Sequence, residues 1–81
     1  MLQIIIAQRG FVFVGNVIKT DNEVVIEHAS GIRRWGTTKG LGEIAVGGPT
    51  ARTILEPIGT VRIHPLAVVA AIDCVADKWK R

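Results

Sequence analysis

The sequence predicts an all-β fold, a small and strongly bent β-barrel formed by a single domain over residues 1–81. Three observations predict it. The apolar residues fall into short runs rich in Val and Ile, and turn residues separate these runs. Six of the nine glycines lie between residues 31 and 48, which predicts a glycine-rich central loop. A chain of 81 residues has a marginal core, and one cysteine excludes an internal disulfide, so we expect an oligomer.

The first half of the chain predicts three strands. Residues 2–7 are mostly β-branched and apolar, and a turn at Gln8–Gly10 separates them from a second run over residues 11–18. Both alternating faces of this second run are apolar, so we expect it to be buried on two sides, with Gly15 at a bend or bulge. Turn residues at Thr20–Glu23 then lead into a third strand, which completes a hairpin.

The centre of the chain predicts irregular structure. Because glycine is so frequent between Gly31 and Gly48, no long regular element is expected there. A short strand or turn over residues 52–55 follows, and residues 56–59 interrupt the chain again. Residues 60–64 then alternate as a strand whose inner face carries Val61 and Ile63.

The tail after Pro65 is compatible with two structures. Its alanines allow a helix with proline in the first turn, whereas Val68, Val69 and Ile72 favour a strand. We expect one 3₁₀ turn followed by a strand. We also expect Trp79 to pack against one end of the fold or against a partner.

The order of these elements resembles the SH3-like and Sm-like small barrels: hairpin strands, a polar insertion, a strand, a short turn and an apolar last strand. In Sm-like proteins the last strand pairs with the next subunit and closes a ring, so the resemblance implies a homo-oligomer. The glycine-bearing Sm signatures are not matched residue by residue. The resemblance is therefore one of architecture.

A second resemblance rests on particular residues. The run Ile-Arg-Arg-Trp-Gly-Thr-Thr-Lys-Gly-Leu-Gly-Glu-Ile over residues 32–44, followed by Gly48-Pro49 and Gly59-Thr60-Val61, is similar to a family of short bacteriophage and prophage proteins. The likeness spans most of the chain. The family has no settled activity, so the resemblance implies a phage setting, with the protein in the host cytoplasm, and no particular mechanism.

The titratable residues do not form a catalytic set. Cys74 lies in an apolar run and is expected to pack, while His28 and His64 are single histidines at strand ends. These three residues lack the spacing of a zinc site, and the acidic residues are scattered. We therefore predict no enzyme activity, no metal and no cofactor.

The positive charge is concentrated in the middle of the chain. Residues 30–55 contain four basic residues and one acidic residue, for a net charge of 4 − 1 = +3, which equals the net charge of the whole chain. An anionic partner is expected to contact this segment.

The loop from Gly36 to Gly42 combines hydroxyls, an ammonium group and glycines, which together suit a backbone nest for phosphate. It does not match the Walker A order, and a plain glycine-rich hairpin loop is the alternative. Two guanidinium groups and an indole precede the loop, and they suit phosphates and a stacked base. Because neighbouring strand residues point to opposite faces, only one arginine of the pair is expected to line a site. The predicted ligand-binding residues are Arg33, Arg34, Trp35, Gly36, Thr37, Thr38, Lys39, Gly40, Gly42 and Arg52.

Three functions fit this pattern. The leading hypothesis is a non-enzymatic oligomeric module that binds a phosphorylated nucleotide-type ligand, and in a phage setting such a protein can act as a sponge for a cyclic or modified nucleotide signal of a bacterial defence system. The second is a single-stranded RNA- or DNA-binding protein of Sm-like type. The third is a structural or inhibitory protein that binds another protein through its Arg and Trp residues. No apolar run is long enough for a membrane span, so we expect a cytoplasmic protein without a membrane partner.

Overall fold

Five antiparallel strands form the framework of the protein. The computed structural model describes residues 1–37 and 40–79. The strands are β1 (Leu2–Ala7), β2 (Val12–Lys19), β3 (Val24–Arg34), β4 (Ile54–Ile63) and β5 (Val68–Asp73). They form one sheet in the order β4-β3-β2-β1-β5. One helix, α1, spans Leu41–Gly47, and 3₁₀ turns lie at Gln8–Gly10, Pro65–Ala67 and Ala76–Trp79. The fold is therefore mostly β, as predicted, with one short helix added.

The two edges of the sheet are β4 and β5. β5 pairs with β1 of its own chain, and no ladder joins β4 to β5 within the described ranges. The prediction that residues 56–59 interrupt the chain is wrong, because β4 continues through them. Proline is tolerated in an edge strand such as β4, because one side of the strand has no ladder partner. Further along β4, Gly59 adopts a φ of +101°.

A bulge opposite Gly15 bends the sheet, as the sequence predicts. Val14 faces Ser30 and Asn16 faces Glu27, so two residues of β3 oppose the single residue Gly15. One of the two, His28, has a φ of +51°. A Cβ atom on Gly15 would lie 2.6 Å from the Ile26 side chain, so only glycine fits this crossing without a shift.

Apolar side chains pack on both faces of the sheet. On one face Ile4 and Val14 contact α1 and Trp79, and on the other Ile5 packs with Val17 and Ile26. The ends of β2 depart from the predicted two-sided burial, since Ile18 is 44% exposed and Phe11, just before the strand, is 59% exposed.

The glycine-rich segment, where no long regular element was expected, holds the short helix α1. Leu41, Ile44 and Ala45 are buried against the sheet, and this packing outweighs the helix-breaking tendency of the flanking glycines. β3 also extends as far as Arg34, beyond its predicted end.

The tail follows the expected order of a 3₁₀ turn and a strand. His64 accepts a hydrogen bond at Nδ1 from the backbone N–H of Leu66, at 3.1 Å, and so caps that turn. The indole of Trp79 is buried, and its Nε1 donates to the carbonyl of Ala45 at 3.4 Å. None of the described helices has the length and apolar character needed to cross a membrane.

Candidate functional site

The two arginines at the end of β3 differ in their contacts. The ladder with β4 pairs Ile32 with Leu55 and Arg34 with Ile54, so Arg33 is an extra residue at a bulge. Arg33 Nη1 donates to Glu56 Oε2 at 2.9 Å, and both side chains are more than half exposed. An exposed ion pair of this kind contributes little to stability. The Arg34 side chain is exposed and has no partner among the described residues.

Two hydroxyl groups fix the backbone that follows Arg34. Thr53 Oγ1 donates to the carbonyl of Trp35 at 2.6 Å, and Thr50 Oγ1 donates to the carbonyl of Gly36 at 2.8 Å. The two threonines also bind each other, because the Thr50 N–H donates to Thr53 Oγ1 at 2.8 Å. The turn over residues 50–53 therefore holds Trp35 and Gly36 in place while the Trp35 side chain remains 43% exposed.

Arg52 lies directly against Gly36. A Cβ atom on Gly36 would overlap the backbone of Arg52 and lie 2.6 Å from the Thr53 nitrogen, and Gly36 itself has a φ of +69°. The structure thus brings together four of the predicted residues, Arg34, Trp35, Gly36 and Arg52, on two neighbouring segments. The exposed Arg52 guanidinium also has no partner within residues 1–37 and 40–79.

The predicted phosphate loop is only partly of the expected form. Thr38 and Lys39 lie outside the described residues. On either side of them, Thr37 Oγ1 accepts a hydrogen bond from the Gly40 N–H at 2.9 Å, so this N–H is already bonded within the loop. Gly42 belongs to α1 and is not a loop residue, which corrects the prediction that it is part of the loop.

One exposed aromatic residue at this end of the sheet was not predicted as part of a site. Phe11 stacks on Phe13 with 6.1 Å between ring centroids and an interplanar angle of 3°. No sequence signal distinguished Phe11 from its apolar neighbours, because its exposure follows the tight turn at Arg9 and Gly10, which both adopt positive φ.

A cavity lies away from Arg34, Trp35 and Arg52. It measures about 240 Å³ and is lined by Lys19, Thr20, Val24, Pro65 and Val68, at the opposite end of β3 from Arg34.

The residues with metal-binding or nucleophilic side chains are dispersed. In the part of the chain that the structure describes, no three His, Cys, Asp or Glu residues group as metal ligands. Burial raises the pKa of the Cys74 thiol to about 11, so the thiol is protonated at neutral pH, in agreement with a packing role.

Comparisons with known proteins add no family assignment. No protein-family model matches the chain, and no curated protein matches it in sequence. The functional conclusion therefore rests on the geometry of the residues themselves.

Proposed function

We propose that this chain is a non-enzymatic module that binds a phosphorylated nucleotide-type ligand on a surface formed by Arg34, Trp35, Gly36 and Arg52. This set is called the arginine–tryptophan surface below. The single observation that carries the proposal is the exposed indole of Trp35, whose backbone Thr50 and Thr53 fix, on the same two segments as Arg34 and Arg52, whose exposed side chains have no described partners.

The chemistry of these groups suits a base joined to a phosphate. A guanidinium donates two parallel hydrogen bonds to phosphate oxygens, and an indole face stacks on a base with about 1–3 kcal/mol per base. Fixing the Trp35 and Gly36 carbonyls in the free protein reduces the ordering cost of binding. Neither interaction needs a catalytic residue.

The binding module is proposed to be a homo-oligomer. Both edges of the sheet are open, and Ile54 and Ile58 on β4 are about half exposed, at 49% and 48%. A second copy that pairs along an edge would satisfy unpaired backbone groups and extend the bent sheet toward a closed barrel of the SH3-like or Sm-like kind. This arrangement would add buried apolar area to a core that is expected to be marginal in a chain of 81 residues.

The resemblance to phage proteins extends the proposal to a biological role. A short binding protein without catalytic groups would remove a nucleotide signal by sequestration. In the cytoplasm of an infected bacterium, such a sponge would lower the free concentration of a cyclic or modified nucleotide that activates a defence system.

Titration calorimetry with a panel of probes tests the binding proposal. The panel is a cyclic dinucleotide, a nucleoside monophosphate and inorganic phosphate, each titrated into wild type, Trp35→Ala and Arg34→Gln. We expect nucleotide affinity to fall by about tenfold or more in each variant, because each loses one stacking or charge-assisted contact.

The matched control is Arg62→Gln. Arg62 is also an exposed strand arginine, but it binds Glu23 on the far part of the sheet, at 2.6 Å. Its replacement should leave nucleotide affinity unchanged while removing the same charge. Unchanged affinity in Trp35→Ala and Arg34→Gln, or an equal loss in Arg62→Gln, would contradict the proposal.

A further inference from the structure

The cavity at the start of β3 has apolar walls and one charged residue in its lining. Lys19 pairs with Val24 between β2 and β3, so the two side chains lie on the same face of the sheet. Val24 is only 4% exposed and belongs to the core of that face, and the partly buried Val68 packs against the same core. Pro65 adds a third apolar wall, and Thr20 completes the lining. The cavity therefore opens beside the core, with an exposed lysine in its lining.

The two turns beside the cavity are fixed by their own hydrogen bonds. In the turn between β2 and β3, the Thr20 hydroxyl accepts from the Glu23 N–H and donates to the Glu23 carbonyl, both at 3.1 Å. In the 3₁₀ turn before β5, the Leu66 N–H donates to His64 Nδ1 at 3.1 Å, and the Ala67 N–H donates to the His64 carbonyl at 2.9 Å. The walls are thus formed without a ligand, and these polar groups are already bonded within the protein.

The positive charge of Lys19 is available to a ligand. Its ammonium group has no partner within residues 1–37 and 40–79. Glu23, the acidic residue next to Val24 in the chain, is bound to Arg62 at 2.6 Å. Asp21, the other acidic residue of this turn, does not line the cavity. An anion at the cavity would therefore meet an ammonium group that no described carboxylate already holds.

We infer that this cavity binds a small apolar monocarboxylate, with the carboxylate at Lys19 and the carbon chain against Val24, Pro65 and Val68. Sites for small molecules combine apolar walls with a few polar groups that orient the ligand, and one ammonium group suits one carboxylate. Phosphate sites usually add backbone N–H groups from a nest or a helix N-terminus. The N–H groups of Leu66 and Ala67 beside this cavity are bonded internally, which favours the carboxylate.

The volume of the cavity sets the size of the ligand. A cavity of about 240 Å³ is smaller than the sites of about 300–1,000 Å³ that hold drug-sized molecules. At about 30 Å³ for each water in the liquid, it corresponds to about eight non-hydrogen atoms. A straight-chain acid of six carbons has this size. This inference is independent of nucleotide binding at the arginine–tryptophan surface, because Arg34 lies at the other end of β3.

Titrations of the full chain followed by amide signals in NMR test the inference. The probes are hexanoate, hexanol, which has the same chain without the charge, and acetate, which has the same charge without the chain. All titrations are made at one ionic strength, because salt screens exposed charges. We expect hexanoate to bind saturably, to shift the amides of Lys19, Thr20, Val24 and Val68, and to bind about fivefold or more tightly than either other probe.

The variants separate the charge of Lys19 from its length and from charge in general. Lys19→Gln should weaken hexanoate by about fivefold and leave hexanol within twofold, because only the carboxylate loses its partner. Lys19→Arg keeps the charge and should stay within about threefold of wild type. Lys78→Gln is the matched control, since Lys78 is an exposed lysine outside the cavity lining. It removes the same charge and should leave hexanoate affinity unchanged.

Four results would overturn the carboxylate site. They are hexanoate affinity within twofold of wild type in Lys19→Gln, an equal loss in Lys78→Gln, equal affinity for hexanoate and acetate, and amide shifts confined to residues outside the cavity. Trp35→Ala distinguishes this site from the nucleotide surface, since it should leave hexanoate affinity within twofold. A loss of hexanoate binding in Trp35→Ala would place the acid on the arginine–tryptophan surface and overturn the cavity as its site.

Discussion

At the scale of single residues, Gly36 connects the fold to the candidate site. Its φ of +69° and its contact with Arg52 leave no room for a side chain. Its carbonyl accepts a hydrogen bond from the hydroxyl of Thr50. This glycine therefore sets the distance between Trp35 and Arg52. Gly40, at the other end of the loop, has no atom within 4 Å of its Cβ direction, and the sequence alone cannot show which glycine has a neighbour.

The substitution Gly36→Ala should lower the free energy of unfolding by about 2 kcal/mol or more, because the left-handed conformation and the close approach to Arg52 both oppose a methyl group. Urea unfolding followed by circular dichroism measures the effect. Gly42→Ala is the control, since Gly42 lies in α1 with no atom near its Cβ direction. That variant should be as stable as wild type or slightly more stable. Equal destabilisation of both variants would contradict the role given to Gly36.

The candidate site also shows which residue contacts a sequence can predict. Charge counting and the glycine cluster placed Arg34, Trp35 and Arg52 in one region, and the structure packs Gly36, the residue after Trp35, against Arg52. The same reasoning did not include Phe11, because its apolar neighbours suggested burial on both sides. Its exposure depends on where β1 ends and on the tight turn at Arg9-Gly10, which are consequences of pairing and not of composition.

At the scale of elements, α1 is the part of the fold that composition predicts least well. Seven residues with glycine at both ends make a marginal helix in isolation. Its stability comes from tertiary contacts, chiefly Ile44, which is fully buried beside Ile4 and Val14. Strands β1, β2 and β3 were predictable because their runs of β-branched residues act locally, whereas the tail that forms β5 was compatible with a helix or a strand, and a helix stabilised by docking leaves only a weak local signal.

The substitution Ile44→Ala should cost about 2–5 kcal/mol of stability, because it leaves a cavity between α1 and the sheet. Val46→Ala provides the control, since Val46 lies on the same helix and is 64% exposed. Its effect should stay within about 0.5 kcal/mol. Chemical unfolding of both variants, monitored by the fluorescence of tryptophan including the buried Trp79, compares them directly. Similar stability of Ile44→Ala and Val46→Ala would show that the helix does not depend on docking.

At the scale of the whole molecule, the sheet is open and has an unpaired edge on each side. The order β4-β3-β2-β1-β5 leaves two edge strands, and the long edge β4 carries a run of exposed residues from Glu56 to Thr60. An antiparallel strand usually buries one of its two faces, whereas every residue of this run is exposed. The sequence predicted a small, strongly bent barrel because short strands and a bend at Gly15 favour curvature. Closure itself depends on pairing between distant strands, which no local pattern encodes.

The two edges lead to a prediction about assembly. We expect the protein in solution to have a mass that is a multiple of the 8.7 kDa chain, because pairing at β4 would bury Ile54 and Ile58 and satisfy the outer backbone groups of the strand. Light scattering coupled to size exclusion measures this mass. Ile58→Lys should shift the population toward 8.7 kDa, since a charged side chain on an edge strand opposes pairing with another edge.

The control for assembly is Ile18→Lys, because Ile18 is exposed to a similar extent, 44% against 48% for Ile58, but lies on the interior strand β2. The strand β2 already pairs with β1 and with β3, so a lysine there adds the same charge without opposing an edge contact. A wild-type mass of 8.7 kDa at every concentration, or equal dissociation in the two variants, would contradict assembly through β4. If only Ile58→Lys dissociates, nucleotide affinity measured on that monomer separates the two roles of the fold. Retained affinity would mean that Arg34, Trp35 and Arg52 of one chain suffice for binding, and lost affinity would mean that the site is completed by a second copy.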